Sequence, residues 1–181
     1  MQEDRVREII AADAGAMAQL RAVRALGLPD WCISGGFVRN RVWDCLSGSA
    51  TAYRADTDVL FFDTVDISRE REQRLEAELT RVLPEPEWQL RNQARMHLGN
   101  GDPPYCDTAH AMTYWLETCT AVGVRLGNGD RLEIVAPLGL DDLLGLVFRP
   151  TAAGERRREV YRRRLAAKPW RAHWPHATFI E

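Results

Sequence analysis

The stretch WCISGGFVRNRVWDCLSG, residues 31–48, places two adjacent glycines between a short apolar run and a segment with helical periodicity. The run Trp31–Ser34 predicts a buried strand, and the apolar residues that follow predict one face of a helix that ends near Gly48. Gly35 and Gly36, which join them, allow two interpretations. Either they form a plain tight turn, or they leave the N–H groups of the helix N-terminus open to an anion such as phosphate.

The stretch DTDVLFFD, residues 56–63, predicts a largely buried strand that opens with two acidic residues. Asp56 and Asp58 are two positions apart, so their side chains project from the same face of a strand, about 6–7 Å apart. Two carboxylates in this arrangement either lie at a solvated strand end or are bridged by a hard divalent cation such as Mg²⁺ or Mn²⁺.

The rest of the chain alternates between helical and strand-like patterns. Helices are predicted over Asp4–Leu26, Ser68–Leu83, Asp107–Trp115, Leu140–Phe148 and an arginine-rich segment that ends near Ala167. Strands are predicted over Trp88–Leu98, Thr118–Leu126 and Arg131–Val135, the last two joined in a hairpin, and a polar loop over Ser47–Ala55. This interleaving predicts one mixed α/β domain of the α+β class over residues 1–181, on which residues 154–181 pack as a basic helix and an aromatic tail.

Composition excludes several classes of protein. The net charge of -2 does not attract the chain to nucleic acid or to an anionic membrane. No apolar run approaches the length of a membrane span. The charged N-terminal stretch is not a signal peptide. Cys32, Cys45, Cys106 and Cys119 show no Cys-x-x-Cys spacing, so we expect reduced thiols in a cytoplasmic protein.

The order strand, Gly-Gly, helix and Asp-x-Asp strand resembles the DNA polymerase β-like nucleotidyltransferase superfamily. More narrowly, the chain is similar to a small group of bacterial nucleotidyltransferase-like proteins. That closer resemblance runs from Trp31 to Pro175 and is carried by SGGFVRNRVWD, DTDVLFFD, NQARMH, APLGLDDL and YRRRLAAKPWRAHWP. It implies the polymerase β-like fold, a mixed sheet with helices packed mainly on one face.

The resemblance also implies roles for the two motifs. Asp56 and Asp58 would be catalytic metal ligands for Mg²⁺ or Mn²⁺, and Ser34, Gly35 and Gly36 would hold the triphosphate of a nucleotide. Such enzymes usually have a third carboxylate on a neighbouring strand, and the matching position here is Asn92. An asparagine can ligate a metal through its carbonyl oxygen but cannot accept a proton at neutral pH. Glu117 and Asp63 are possible substitutes.

Several basic residues allow two interpretations. Arg39, in the first turn of the helix after the glycines, either reaches a phosphate or forms a surface salt bridge with Asp44 or Asp56. Alternation along the predicted strand Trp88–Leu98 places Arg91, Arg95 and His97 on one polar face, which either lines a nucleotide cleft or is an ordinary solvated face, with Asn92 on the other face. The arginine-rich helix near the C-terminus favours a solvated helix packed on the domain over a nucleic-acid contact.

The sequence therefore predicts a metal-dependent nucleotidyltransferase that transfers a nucleoside monophosphate from a nucleoside triphosphate to an acceptor that the sequence does not identify. The alternative is a non-catalytic nucleotide-binding or interaction module that has lost the third carboxylate. No membrane partner is expected.

Overall fold

The computed structural model describes residues 1–48 and 56–181, so most of the predicted polar loop Ser47–Ala55 lies outside the described residues. The helices are α1 (Gln2–Ala12), α2 (Ala14–Ala25), α3 (Gly36–Ser47), α4 (Arg69–Val82), α5 (Gln93–Asn100), α6 (Thr108–Met112), α7 (Asp141–Leu144), α8 (Ala152–Arg156), α9 (Arg158–Ala167) and α10 (Trp170–His173). The strands are β1 (Cys32–Ser34), β2 (Thr57–Phe61), β3 (Trp88–Asn92), β4 (Gly123–Leu126), β5 (Leu132–Val135), β6 (Val147–Phe148) and β7 (Thr178–Phe179).

Strands β1 to β5 form one mixed sheet in the order β3-β2-β1-β4-β5. β2 and β3 are parallel, and the other neighbouring pairs are antiparallel. The hairpin predicted around residues 127–130 is confirmed by the pairing of β4 with β5. The register places Ser34 of β1 opposite Asp58 of β2, and Asp58 opposite Gln89 of β3.

The two faces of the sheet are covered unequally. Val59 and Phe61 of β2 point into the main core, which also contains buried residues of α1 to α4 such as Trp43 and Leu79. Leu60 points the other way, into a small cluster under α6. The predicted α+β fold, a mixed sheet with helices mainly on one face, is confirmed. No helix within residues 1–48 or 56–181 is both long and apolar enough to cross a bilayer.

The single helix predicted over Asp4–Leu26 is wrong, because the chain forms two helices that meet at Asp13. This residue has an extended backbone, and its carboxylate accepts a hydrogen bond from the N–H of Ala16 at 3.0 Å. An aspartate in that position satisfies a free donor in the first turn of α2 and thereby starts a new helix.

The strand predicted over Trp88–Leu98 is also wrong beyond Asn92, where α5 begins. The Asn92 side chain accepts from the N–H of Ala94 at 3.2 Å, which caps the new helix. The following residues are mostly good helix formers, so the alternation of apolar and polar residues does not decide their conformation. The polar row predicted for Arg91, Arg95 and His97 therefore does not exist as one strand face.

The C-terminal region also departs from the predicted helix boundaries. The helix predicted over Leu140–Phe148 stops after one turn, where Leu146 takes a positive φ of 54° before β6. Phe148 of β6 then stacks on Trp170 at a centroid distance of 4.5 Å and on Phe179 at 4.8 Å. Trp174 is fully buried against Trp43. We propose from these contacts that residues 154–181 fold with the rest of the chain as one domain.

We expect Trp170→Ala to destabilise the whole domain by about 3–5 kcal/mol, the usual cost of truncating a buried tryptophan. Urea unfolding followed by far-UV circular dichroism and by tryptophan fluorescence measures it. If the tail is part of one domain, both probes move together to a lower midpoint. Val160→Ala, at an exposed position of α9, is the control with little effect. An unchanged far-UV transition in the Trp170 variant would contradict the single domain.

Candidate functional site

The glycine turn between β1 and α3 has a backbone conformation that requires glycine. Gly35 has φ 64° and ψ -123°, its N–H donates to the carbonyl of Val122 at 3.1 Å, and its own carbonyl accepts from the N–H of Arg39 at 3.0 Å. A Cβ at this position would lie 3.4 Å from the ring of Trp115 and 3.6 Å from Oδ2 of Asp58. The turn is thus hydrogen-bonded to Val122, the residue before β4, on one side and approaches Asp58 on the other.

The helix that follows the turn begins with free donors. In the described parts of the chain, the N–H groups of Gly36 and Phe37 in the first turn of α3 have no hydrogen-bond acceptor. The first N–H groups of a helix carry partial positive charge and point along its axis, so they favour an anion. Glycine at the first position leaves room for a ligand to approach the backbone.

The two aspartates lie at the start of β2, next to this turn. Asp58 is opposite Ser34 in the antiparallel register and is partly buried, whereas Asp56 precedes the strand and is exposed. Oδ2 of Asp56 accepts a hydrogen bond from Nε2 of Gln89 at 2.6 Å. The structure therefore brings the predicted residues Gly35, Asp56 and Asp58 together.

Burial makes the Asp58 carboxylate costly to ionise. Its pKa rises to about 6, first because it is buried and second because the charge of Asp56 repels its own. Arg91, Arg164 and Lys168 act in the opposite direction and only partly offset the shift. A cation bound between the two carboxylates would reverse this balance and favour their charged forms.

Each of the two aspartates lines a separate cavity. The first cavity has a volume of about 590 Å³ and is lined by Gly36, Phe37, Asn40, Arg41, Asp56 and Thr57, among others. The second cavity has a volume of about 360 Å³ and is lined by Asp58, Arg91, Tyr114, Trp115, Arg157 and Arg164, among others. Asp56 and the N-terminus of α3 thus face the first cavity, and Asp58 faces the second.

The donors at the pair suit a hard divalent cation. Both carboxylates supply oxygen, and the buried hydroxyl of Ser34, across the strand from Asp58, has no hydrogen-bond partner among the described residues. No group of three or more histidine, cysteine, aspartate or glutamate side chains that could hold a metal occurs within residues 1–48 and 56–181. A cation here would therefore complete its coordination with water and with oxygens of a ligand, as Mg²⁺ commonly does.

Neither predicted role of Arg39 agrees with its position. The side chain is buried, and its guanidinium lies 4.6 Å from the ring centroid of Trp170 and 5.6 Å from that of Phe148. Nη2 donates to Oδ1 of Asn40 at 2.8 Å. The aromatic tail covers this arginine, so its guanidinium is not at the surface, and Arg39 is not among the described residues that line either cavity. Its cation–π contacts belong to the core.

Asn92 does not lie beside the acidic pair. It is opposite Phe61, three residues beyond Asp58, which corresponds to about 10 Å along the strand, and it points to the helix-covered face. Its Oδ1 accepts from the N–H of Asp63 at 3.0 Å, and its Nδ2 donates to the carbonyls of Asp63 at 2.7 Å and Asp66 at 3.2 Å. The Asn92 side chain therefore holds the chain after β2 in place, and it also caps α5.

Gln89 instead is the residue next to the pair on the neighbouring strand. Gln89 and Arg91 share one face of β3, and the parallel register with β2, which the sequence pattern does not reveal, aligns Gln89 with Asp58. Of the two substitutes, Asp63 lies at the far end of β2 and pairs with Arg71 at 2.6 Å. Glu117 is buried in the wall of the second cavity, where it accepts from Nε of Arg164 at 2.8 Å.

Comparison with known proteins gives consistent results. The family model described as Nucleotidyltransferase matches residues 21–179. A solved structure described as revealing a CCA-adding enzyme head domain is 37% identical, with a TM-score of 0.84 over 97% of this chain and 95% of that one. A tRNA-processing enzyme in an apo form is 17% identical, with a TM-score of 0.55 over 90% of this chain and 45% of its own length, and it shows the fold alone. No protein with a curated description matches.

The raised pKa of Asp58 predicts a pH-dependent stability in the metal-free protein. Well below the unfolded pKa of 3.8, the carboxyl is protonated in both states and there is no penalty. As the pH rises to about 6, the unfolded state loses this proton first, so the free energy of unfolding falls by no more than about 3 kcal/mol and then stays level. Urea unfolding of the wild type and of Asp58→Asn across this range tests it. A variant with the same pH profile as the wild type would contradict the assignment.

Two acidic substitutions on β3 distinguish the candidate positions for a third ligand. Asn92→Asp should lower the free energy of unfolding by about 1–3 kcal/mol, because two donors are lost facing buried carbonyls, with no change in Mg²⁺ affinity. Gln89→Glu should keep the fold and tighten Mg²⁺ binding by placing a carboxylate beside Asp56. Calorimetric titration with MgCl₂ measures the Mg²⁺ affinity of both variants. Tighter Mg²⁺ binding by the Asn92→Asp variant, with no change in the Gln89→Glu variant, would show that Asn92 lies at the site.

Proposed function

The chain belongs to the nucleotidyltransferase family, and we propose that it transfers a nucleoside monophosphate from a nucleoside triphosphate to an acceptor with the help of a divalent cation. The observation that carries this proposal is the position of Asp56 and Asp58 directly beside the glycine turn and the open N-terminus of α3. One motif can hold a cation and the other can hold phosphate, and nucleotidyl transfer needs both at the same place.

Asp56 and Asp58 would hold the cation, which is Mg²⁺ or Mn²⁺ in this proposal. Nucleotidyltransferases of this family generally use divalent metal ions. When bound, the cation would stabilise the negative charge that develops on the phosphates during transfer. The partly buried Asp58 and the unpartnered Ser34 hydroxyl support this location, since both would gain from a cation nearby.

The N–H groups of Gly36 and Phe37 would bind the phosphates that leave as pyrophosphate. They open into the first cavity, whose volume is within the range for nucleotide-sized ligands. That cavity is also lined by the carboxylates of Asp56 and Glu87. Because these repel a free triphosphate, we propose that the nucleotide enters together with its cation.

The alternative function is a nucleotide-binding or interaction module without catalysis. The observation that favours it is Gln89, a neutral amide where a third carboxylate beside the pair would lie. Without a general base, typically worth about 10²–10⁴-fold in rate, transfer would be slow but not abolished. Incubation of the chain with α-³²P-labelled nucleoside triphosphates, Mg²⁺ or Mn²⁺ and a cell extract distinguishes the two functions. Label on an acceptor supports transfer, and pyrophosphate release without an acceptor does not.

We also propose that the protein acts in the cytoplasm. Its four cysteines are free in the structure, Cys32 and Cys119 buried and Cys45 and Cys106 exposed. Exposed free thiols fit a reducing compartment.

Asp58→Ala should abolish Mg²⁺-dependent triphosphate binding without loss of stability. Removing one of two repelling carboxylates relieves repulsion at the site, so the melting temperature should hold or rise. We expect affinity for a non-hydrolysable triphosphate to fall at least roughly tenfold, since even residues that only support a metal ligand commonly cost that much. Calorimetry with and without Mg²⁺ measures it, with Asp141→Ala, an exposed acid of α7, as the control. Equal affinities in the Asp58 variant and the wild type would contradict the site.

A further inference from the structure

The second cavity contains side chains that the proposed nucleotide and metal sites do not use. We propose that it binds the acceptor, and that the acceptor is a small organic anion in which a phosphate or carboxylate accompanies a planar ring. This inference rests on the proposed function, because it takes the positions of the metal and the leaving phosphates from it. Three features carry the inference: the position of the cavity, its charge and its aromatic wall.

The position follows from the geometry of phosphoryl transfer. The attacking and leaving oxygens lie roughly in line on opposite sides of the phosphorus. If pyrophosphate leaves toward Gly36 and Phe37 in the first cavity, the attacking group must approach from the opposite side of the α-phosphorus. Asp56 lines the first cavity and Asp58 lines the second, so we place the attacking group in the second cavity. A molecule bound there would present its nucleophile to the α-phosphorus.

The charge of the cavity favours an anion. Arg157 projects into it and donates to the backbone carbonyls of Tyr114 and Ala153, and no carboxylate among the described residues pairs with it. Arg164 uses Nε for Glu117. A guanidinium held in place by neutral carbonyls keeps its full charge and can bind a phosphate or a carboxylate through parallel hydrogen bonds.

The wall opposite the sheet is aromatic. Tyr105 and Tyr114 lie 5.2 Å apart between ring centroids, and Trp115 lies between them and the glycine turn. Rings at the edge of a small cavity provide a flat apolar surface against which a planar group can pack. An anionic ligand with a ring uses this wall and Arg157 together, whereas an inorganic anion uses only the arginine.

The size of the cavity fits a small molecule. Its volume of about 360 Å³ lies near the lower end of the range for small-ligand sites. The neighbouring basic helix α9 is partly neutralised, since Arg158 pairs with Glu155 and donates to the C-terminal residue Glu181. These features favour a small acceptor over a polymer that follows a long basic surface.

The reaction would proceed as a single displacement. An acceptor hydroxyl oxygen forms a bond to the α-phosphorus while the bond from that phosphorus to the bridging oxygen breaks. The electron pair of the broken bond leaves on pyrophosphate, and the hydroxyl proton passes to water. The products are the acceptor joined to a nucleoside monophosphate and free pyrophosphate, so no further reactant is needed.

Phenyl phosphate is the probe for this site, with inorganic phosphate as the anion without a ring and benzoate as the carboxylate. The full ¹⁵N-labelled chain is titrated by NMR with each probe, with and without saturating Mg²⁺ and α,β-methylene ATP. We expect the Trp115 indole and Arg157 Nε signals to shift, and phenyl phosphate to bind more tightly than inorganic phosphate. A preference for phenyl phosphate over benzoate assigns the acceptor a phosphate group, and the reverse preference assigns it a carboxylate.

Matched variants test the role of Arg157. Arg157→Gln should weaken phenyl phosphate binding at least about tenfold, within the range for a charged hydrogen bond. Arg156→Gln removes the same charge from an adjacent exposed position and should change little. Arg157→Lys keeps the charge and should recover part of the affinity, which separates a binding role from a folding role. Equal losses of affinity in Arg157→Gln and Arg156→Gln would overturn the proposal.

The nucleotide analogue separates failure of this inference from failure of the proposed function. Simultaneous binding of analogue and phenyl phosphate supports an acceptor site. Mutually exclusive binding assigns the second cavity to the nucleotide and overturns the acceptor site while the proposed function stands. Phenyl phosphate binding with no analogue binding overturns the proposed function. Absence of binding of both phenyl phosphate and benzoate, or their displacement by a short single-stranded RNA that requires Arg157, overturns the small-molecule acceptor.

Discussion

The antiparallel register between β1 and β2 is the constraint on which the site depends. It places Ser34 opposite Asp58, so that the glycine turn leaving β1 and the acidic pair opening β2 meet at the same edge of the sheet. The turn is held there by the hydrogen bond from the Gly35 N–H to the carbonyl of Val122. Gly35 has backbone angles that only glycine adopts readily. A shift of one residue in this register would turn Asp58 into the apolar core and separate the two motifs.

This arrangement lowers the stability of the fold at the site. Asp58 is held in a partly buried position next to another carboxylate, and the buried Ser34 hydroxyl lies beside it without a partner among the described residues. Neither feature adds to stability, and both would be explained by the proposed binding of a cation and an anionic ligand at this site. Away from the site, the aromatic core contributes to stability, with Phe148 in ring contact with Trp43, Trp170 and Phe179.

The local part of the fold could be predicted from the sequence, and the long-range part could not. Strand β1, the glycine turn, α3 and β2 follow from hydrophobic periodicity and from the glycines, since neighbours in sequence determine them. Asn92 is away from the site because it pairs with Phe61, beyond Asp58, and points to the helix-covered face. The predicted strand was too long because a capping hydrogen bond to the Asn92 side chain starts α5 within an alternating pattern. Gln89 was missed because the register of a parallel pair depends on contacts between distant segments. Arg39 was misplaced for the same reason, because its surroundings come from Trp170, far along the chain.

The C-terminal segment connects the stability of the fold with the chemistry of the cleft. Trp170 and Phe179 cover Phe148 and Arg39 on one side of the segment. On the other side, Arg157 and Arg164 reach the second cavity, and Arg164 neutralises the buried Glu117. Because the aromatic packing fixes where α8 and α9 lie, it also fixes the two guanidinium groups relative to Asp58. Loosening the tail would therefore do more than lower stability. It would move Arg164, one of the positive charges that partly offset the ionisation cost of Asp58, and the Asp58 carboxylate would become harder to charge.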